Sequence, residues 1–136
     1  KSGINAVYRL IRKDVDLLGL SIKDGSGLSR KNAVSASHFC QLLKGIYKSD
    51  IYDDFKGSLS VAGDKGTLKY VCRNQKGANR IYAKSGTLSN VKAYSGYVQT
   101  VSGKNLAFAV IANNFNCSKS QIVKKMERMF NAMASY

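Results

Sequence analysis

The chain has 136 residues, 44% of them hydrophobic, with eight tyrosines and five phenylalanines; that suffices for one domain with a real core and argues against disorder. Its 22 Lys+Arg against 8 Asp+Glu give a formal net charge of +14, a balance that favours polyanions such as nucleic acid, an acidic membrane surface or an anionic wall polymer. The cations are spread along the whole sequence, without zinc-finger spacing or an RNP-type aromatic motif, and no apolar run is long enough to span a bilayer. A solvated basic surface is therefore expected, with no specific nucleic-acid readout and no transmembrane segment.

From the N-terminus, Ile4, Val7, Tyr8, Ile11 and Leu18 fall on one helical face, and Gly19 stands where that helix should end. KSGINAVYRLIRK opens directly into this periodicity, without an initiator methionine or the apolar core of a secretion signal; a mature product or a piece of a longer chain is expected. After LGLSI comes the polar stretch KDGSGLSRKN. Its Asp24-Gly25-Ser26-Gly27 has the look of a calcium or dinucleotide loop. Lys31 and Asn32 break the oxygen series an EF-hand needs, however, and Arg30 stands where a dinucleotide fingerprint requires glycine. Taken alone, the segment is a turn. The GxxxxGK[ST] string of a P-loop is absent.

Phe39, Leu42, Leu43, Ile46 and Tyr47 mark an amphipathic helix. Within it, Cys40 reads as a small buried hydrophobe. The lone His38 has no evident partner for base catalysis and cannot complete a zinc site with Cys40, Cys72 and Cys117, which lie far apart. No metal and no cofactor is expected, and one disulfide stays open with its pair unspecified. Residues 51–73 suggest one or two short helices broken near Gly63 and Gly66. Residues 79–85 suggest a strand, and residues 92–101 alternate as a second one. LAFAVIANN, residues 106–114, is apolar on both faces, as in a covered central strand, with Ser102-Gly103 supplying the turn before it. Ser118 and Gln121 form a capping box for a last helix whose apolar face is Ile122, Met126, Met129, Phe130 and Met133. With no proline, repeat or linker, residues 1–136 make one unit of α+β class, an antiparallel sheet with helices on its faces.

The stretch YAKSGTLSN closes the first long strand. A lysine ammonium beside a hydroxyl can hold a carboxylate, a glycine lets a ligand approach the backbone, and the next peptide N–H, that of Thr87, can face a developing oxyanion. As a bare tripeptide the pattern equally fits a solvated lysine beside a turn.

KDGSGLSRKN, SLSVAGDKGTLKY and AKSGTLSNVKAYSGYVQTVSGKNLAFAVIANNF, in that order and spacing, resemble the C-terminal portion of the low-molecular-mass class C penicillin-binding proteins, the D-alanyl-D-alanine carboxypeptidases and endopeptidases of bacterial cell-wall metabolism. DGSGLSR is the more family-specific string. The resemblance implies the C-terminal part of a penicillin-binding-protein/serine β-lactamase-like transpeptidase fold, its sheet sandwiched by helices. Of that family's S-x-x-K, S-x-N and K-[ST]-G motifs, only the third occurs in its proper setting. S-x-N is absent, and Ser89-Asn90-Val91-Lys92 falls in a turn, whereas the family's S-x-x-K opens a buried helix. Both missing motifs precede this segment in the family, so Lys1 is expected to lie just downstream of the S-x-N element.

The roles the resemblance implies are specific. Lys84 would organise the hydrogen bonds around the serine nucleophile and attract the substrate's terminal carboxylate. Ser85, where many members carry threonine, would hydrogen-bond that carboxylate, and Gly86 would keep the strand open to the ligand. Thr87 would offer its backbone N–H to the oxyanion hole and its C=O to a substrate amide. Asp24, Gly25, Ser26, Gly27 and Arg30 would shape a structural loop near the site. The implied reaction is acyl transfer through a serine ester, with peptidoglycan stem peptides and β-lactams as partners, no cofactor, and a periplasmic or extracytoplasmic location. The segment alone would lack the nucleophile and be inactive. Strands from earlier in a full chain would pair beside LAFAVIANN; without them that edge invites self-association or needs a helix or tail over it. The competing expectations are a non-catalytic basic module binding nucleic acid or an anionic wall polymer, and a family member that kept the fold and lost catalysis.

Overall fold

Alternation of apolar side chains along successive strands makes a sheet with two buried faces, and different helices cover them. In the computed structural model, which describes residues 2–136 (Lys1 lies outside the described residues), the strands are β1 (Ser60–Val61), β2 (Ile81–Leu88), β3 (Val91–Gln99) and β4 (Asn105–Asn113). They pair antiparallel in the order β1-β2-β3-β4. The helices are α1 (Ser2–Ile11), α2 (Ala36–Tyr47), α3 (Tyr52–Ser58) and α4 (Lys119–Ser135).

One face carries Ile81, Ala83, Tyr94, Val98 and Phe108 against Met126, Phe130 and Ala134 of α4. Phe130 is fully buried and meets Tyr94 and Phe108 edge-on, at centroid separations of 5.3 and 5.5 Å. Burial of one such side chain contributes about 2–3 kcal/mol. The capping box at the start of α4 forms as expected, with Gln121 N–H donating to Ser118 Oγ and Ser118 N–H to Gln121 Oε1. Of the expected apolar stripe, Met126 and Phe130 are buried and Ile122 and Met133 half-buried, but Met129 is 50% exposed because the seam runs through positions 126, 130 and 134.

The opposite face carries Tyr82 and Tyr97 against Leu43 of α2, Phe55 of α3 and Leu59. The Tyr97 hydroxyl donates to the Leu43 carbonyl at 2.7 Å, which ties α2 to the sheet. Burial pushes the Tyr97 hydroxyl up to about 12. α2 opens on its own capping box, with Ser35 Oγ accepting His38 N–H and His38 Nδ1 accepting Ser35 N–H. His38 Nε2 lies 3.1 Å from the Leu18 carbonyl, so both ring nitrogens are engaged in structural contacts.

Four expectations need correction. The first helix stops at Ile11, not near Gly19, and Leu18 is 84% exposed. Asp16 ends the periodicity: its Oδ1 accepts Leu18 N–H and its own N–H donates to Gln41. Residues 51–73 hold not only α3 but also β1 and a 3₁₀ turn at Gly66–Leu68. The first long strand starts at Ile81, since Asn79 sits at φ +59, and it runs to Leu88, so Lys84-Ser85-Gly86 is mid-strand. LAFAVIANN forms β4, the edge of the four-stranded sheet rather than its centre; helices cover its faces, and among the described residues no strand pairs with its outer side. All three cysteines are free, and Cys40 is half-buried.

β2 and β3 approach closely at Gly96, where a Cβ would overlap the Tyr82 carbonyl oxygen and sit 2.7 Å from Ala83 Cα. Gly96→Ala is expected to destabilise the fold by about 3 kcal/mol through separation of these strands. Gly57→Ala, in α3 with open space around the added methyl, should stabilise by about 0.5–1 kcal/mol. Chemical denaturation of both variants checks the pair.

Candidate functional site

The site is built by the shortness of β1. Ala62 N–H donates to the Ile81 carbonyl on one side of β2, and Gln99 N–H donates to the Arg80 carbonyl on the other. Backbone groups of an antiparallel strand alternate in direction. Residues 81, 83, 85 and 87 therefore aim N–H and C=O toward β1, and the even-numbered ones toward β3. β1 reaches only Tyr82 and Ala83. The N–H and C=O of Ser85 and Thr87 consequently face an open edge.

Side chains alternate as well. Lys84 leaves the sheet on the α2 side and lines a groove of about 350 Å³ with Phe39 and Leu42 of α2, Phe55 of α3, and Ser95. Its Nζ bends to the Ser85 carbonyl at 2.6 Å. Ser85 emerges on the other face, outside that groove, so lysine and hydroxyl are adjacent along the edge but do not share a face. Gly86 is exposed, and a Cβ there would meet only Ala93 at 3.7 Å; its use is to leave the strand bare. Thr87 is exposed, and its Oγ1 accepts a hydrogen bond from Lys92 Nζ at 2.8 Å. Burial, and then the ammoniums of Lys119 and Lys84, holds Lys92 below the ordinary lysine value. The outer end of the β2–β3 hairpin is thus a concentration of positive charge.

Two participants were missed from sequence. Ser85 Oγ donates to Thr67 Oγ1 at 2.9 Å, and Ser60 Oγ accepts Thr67 N–H at 3.1 Å. The only signal was a pair of hydroxyls flanking two glycines in SLSVAGDKGT, which by itself assigns no task. For Lys92 the sequence indicates a strand start and the end of a chance S-x-x-K string, with no task at the site. Ser89 and Asn90 of that string form the β2–β3 turn, Asn90 at φ +54, and Lys92 is on β3.

The DGSG segment lies in the loop between α1 and α2, closed at its base by the Ser21–Ala33 bridge. Asp24 Oδ1 accepts from Asn32 Nδ2 at 3.1 Å and from Gly27 N–H at 3.2 Å. The Asn32 contact, followed by the Gly27 and Ser26 bonds, lowers the Asp24 carboxyl despite some desolvation. Gly27 takes the left-handed φ of +77 that this turn requires. Gly25 and Ser26 are exposed, and Ser26 Oγ accepts Leu28 N–H. Arg30 is exposed. Among the described residues none bonds its guanidinium, and no hydrogen bond joins this loop to β2. Also among the described residues, no cluster of metal-ligating side chains occurs and no helix is long and apolar enough to cross a membrane.

An open strand edge, a hydroxyl and clustered ammoniums can accept an extended peptide ending in a carboxylate. The family model described as D-Ala-D-Ala carboxypeptidase 3 (S13) family matches residues 1–135. A D-alanyl-D-alanine carboxypeptidase from an Actinomadura species is 39% identical over 104 residues, covering 73% of this chain and 19% of that protein. The crystal structure of penicillin binding protein 4 (dacB) from Haemophilus influenzae superposes with a TM-score of 0.89 at 23% identity, covering 98% of this chain and 32% of that one. The same protein complexed with a β-lactam gives 0.85 at 22% identity, over 93% of this chain and 31% of that one. The chain thus spans about a fifth to a third of these proteins. With residues 1–135 matched by the family model, the chain belongs to the D-Ala-D-Ala carboxypeptidase 3 (S13) family, among the low-molecular-mass class C penicillin-binding proteins.

Proposed function

We propose that this chain supplies the substrate-binding strand of a serine D-alanyl-D-alanine carboxypeptidase or endopeptidase acting on peptidoglycan stem peptides. The observation that carries this reading is the open edge of β2, where the N–H and C=O of Thr87 lie beside Ser85 and Lys84. A stem peptide adds to that edge as a further strand. Its amide N–H donates to the Thr87 carbonyl, and its scissile carbonyl oxygen sits at Thr87 N–H, which stabilises the oxyanion as the tetrahedral intermediate forms. The terminal carboxylate accepts from the Ser85 hydroxyl in the field of Lys84 and Lys92, and Lys84 also orders the hydrogen bonds around the nucleophile.

The nucleophilic serine belongs to a part of the polypeptide outside these residues. Its oxygen attacks the carbonyl, the D-alanine leaves with the proton on its nitrogen, and water then cleaves the ester and restores the hydroxyl. β-Lactams, one of which is complexed with the H. influenzae relative, acylate the same serine. The basic surface suits an anionic wall polymer in an extracytoplasmic compartment.

The 136-residue chain by itself should neither release D-alanine nor retain a fluorescent penicillin after denaturing electrophoresis; a labelled band would overturn this division of labour. In the longer polypeptide, Thr87→Pro removes the edge-facing N–H, at a place where strands tolerate proline, together with the exposed Thr87 Oγ1 contact to Lys92. It is expected to slow penicillin acylation by about 10²–10³-fold with little change in melting temperature, whereas a rate within twofold of the parent would dismiss the oxyanion role. The outer side of β4, with which no strand pairs among the described residues, should make the isolated chain self-associate, and light scattering that finds monomers at high concentration would refute this.

A further inference from the structure

Ser85 does not stand alone at the β2 edge. Its hydroxyl donates to Thr67 Oγ1 at 2.9 Å, Thr67 Oγ1 lies 3.3 Å from Ser60 Oγ, and Ser60 Oγ accepts the Thr67 N–H at 3.1 Å. Three hydroxyls from β1, the 3₁₀ turn and β2 therefore form one continuous chain. The backbone holds it in place: Gly66 has φ +67, and a Cβ there would overlap Ser60 Oγ and lie 2.9 Å from Ser60 Cβ. Only glycine lets the Thr67 peptide settle onto Ser60.

We infer that Thr67, backed by Ser60, is a positioning residue for Ser85, delivering the Ser85 hydroxyl proton to the substrate carboxylate by reversal of this hydroxyl chain. The inference rests on the carboxylate-binding role proposed above for Ser85. In the present arrangement the Ser85 proton points to Thr67. Each hydroxyl can rotate. When a carboxylate arrives, Ser60 donates to Thr67, Thr67 to Ser85, and Ser85 to the anion. Ser60 Oγ still accepts the Thr67 N–H, so no member loses its partner. Aligned hydroxyls polarise one another, which strengthens the terminal bond to the charged group. An isolated Ser85 would be free to choose among rotamers; in this chain its oxygen is held against Thr67 Oγ1.

The test compares acylation of the longer polypeptide by a penicillin with a free carboxylate and by its methyl ester. Thr67→Val removes the relay while keeping the shape, and is expected to slow the free acid about tenfold, the loss of roughly one charge-assisted hydrogen bond, while leaving the ester rate unchanged. Thr67→Ser should restore the acid rate. Ser60→Ala, which cuts the chain at its far end, should give a smaller loss confined to the acid, and it serves if the valine variant fails to fold. Equal losses for acid and ester, or no loss with any variant, would overturn the inference. Parent protein that fails to discriminate acid from ester would instead remove the carboxylate role of Ser85 itself, so the two failures are distinguishable.

Discussion

β1 starts only at Ser60, and the site depends on that late start. α3 occupies the chain up to Ser58, and past Val61 the backbone turns back on itself, with Lys65 N–H returning to the Val61 carbonyl and Gly63 at φ +74. Had β1 begun earlier, in place of α3, its backbone would have met Ser85 and Thr87 and closed the edge. An unpaired strand edge is ordinarily a liability for aggregation. Here it is flanked by Lys84 and Lys92, and Lys56 stands over the Tyr82 ring at 4.4 Å. Charges of this kind repel a second copy and attract an anionic peptide.

The rest of the molecule makes that edge rigid. β2 is held on one side through most of its length by β3, which can approach only because residue 96 is glycine. Below the sheet α4 presses Phe130 onto Tyr94. The same helix reaches past the sheet with two polar side chains: Glu127 Oε1 accepts Cys72 N–H at 2.7 Å and Asn131 Oδ1 accepts Gly77 N–H at 2.8 Å. These bonds fix the irregular segment that carries the chain from the 3₁₀ turn back to β2. Several of the few acidic residues are thus committed to backbone contacts, Asp16 and Asp24 among them. Among the described residues the lone ion pair is the exposed Lys13–Asp14 contact. The cations that remain set the potential around the hairpin, which is why charge composition is informative about ligand sign and silent about where the ligand sits.

The sequence alone determined the features with short-range causes. The helix start at Ser118, the strand–turn–strand succession that follows residue 79, the turn at Asp24 and the backbone-exposing Gly86 follow from a capping hydroxyl, period-two alternation and glycine, each acting within a few residues. The family signature in DGSGLSR and KSGTL was legible for the same reason, being contiguous. Tertiary structure decided the rest. Ser60 and Thr67 reach Ser85 across 18 or more positions, β1 exists because β2 is there to pair with it, and Asp16, past the end of α1, finds Gln41 on another helix. Hydroxyls and two-residue strands carry almost no periodic signal, so their partners are chosen by packing, which becomes visible only when distant segments are brought together.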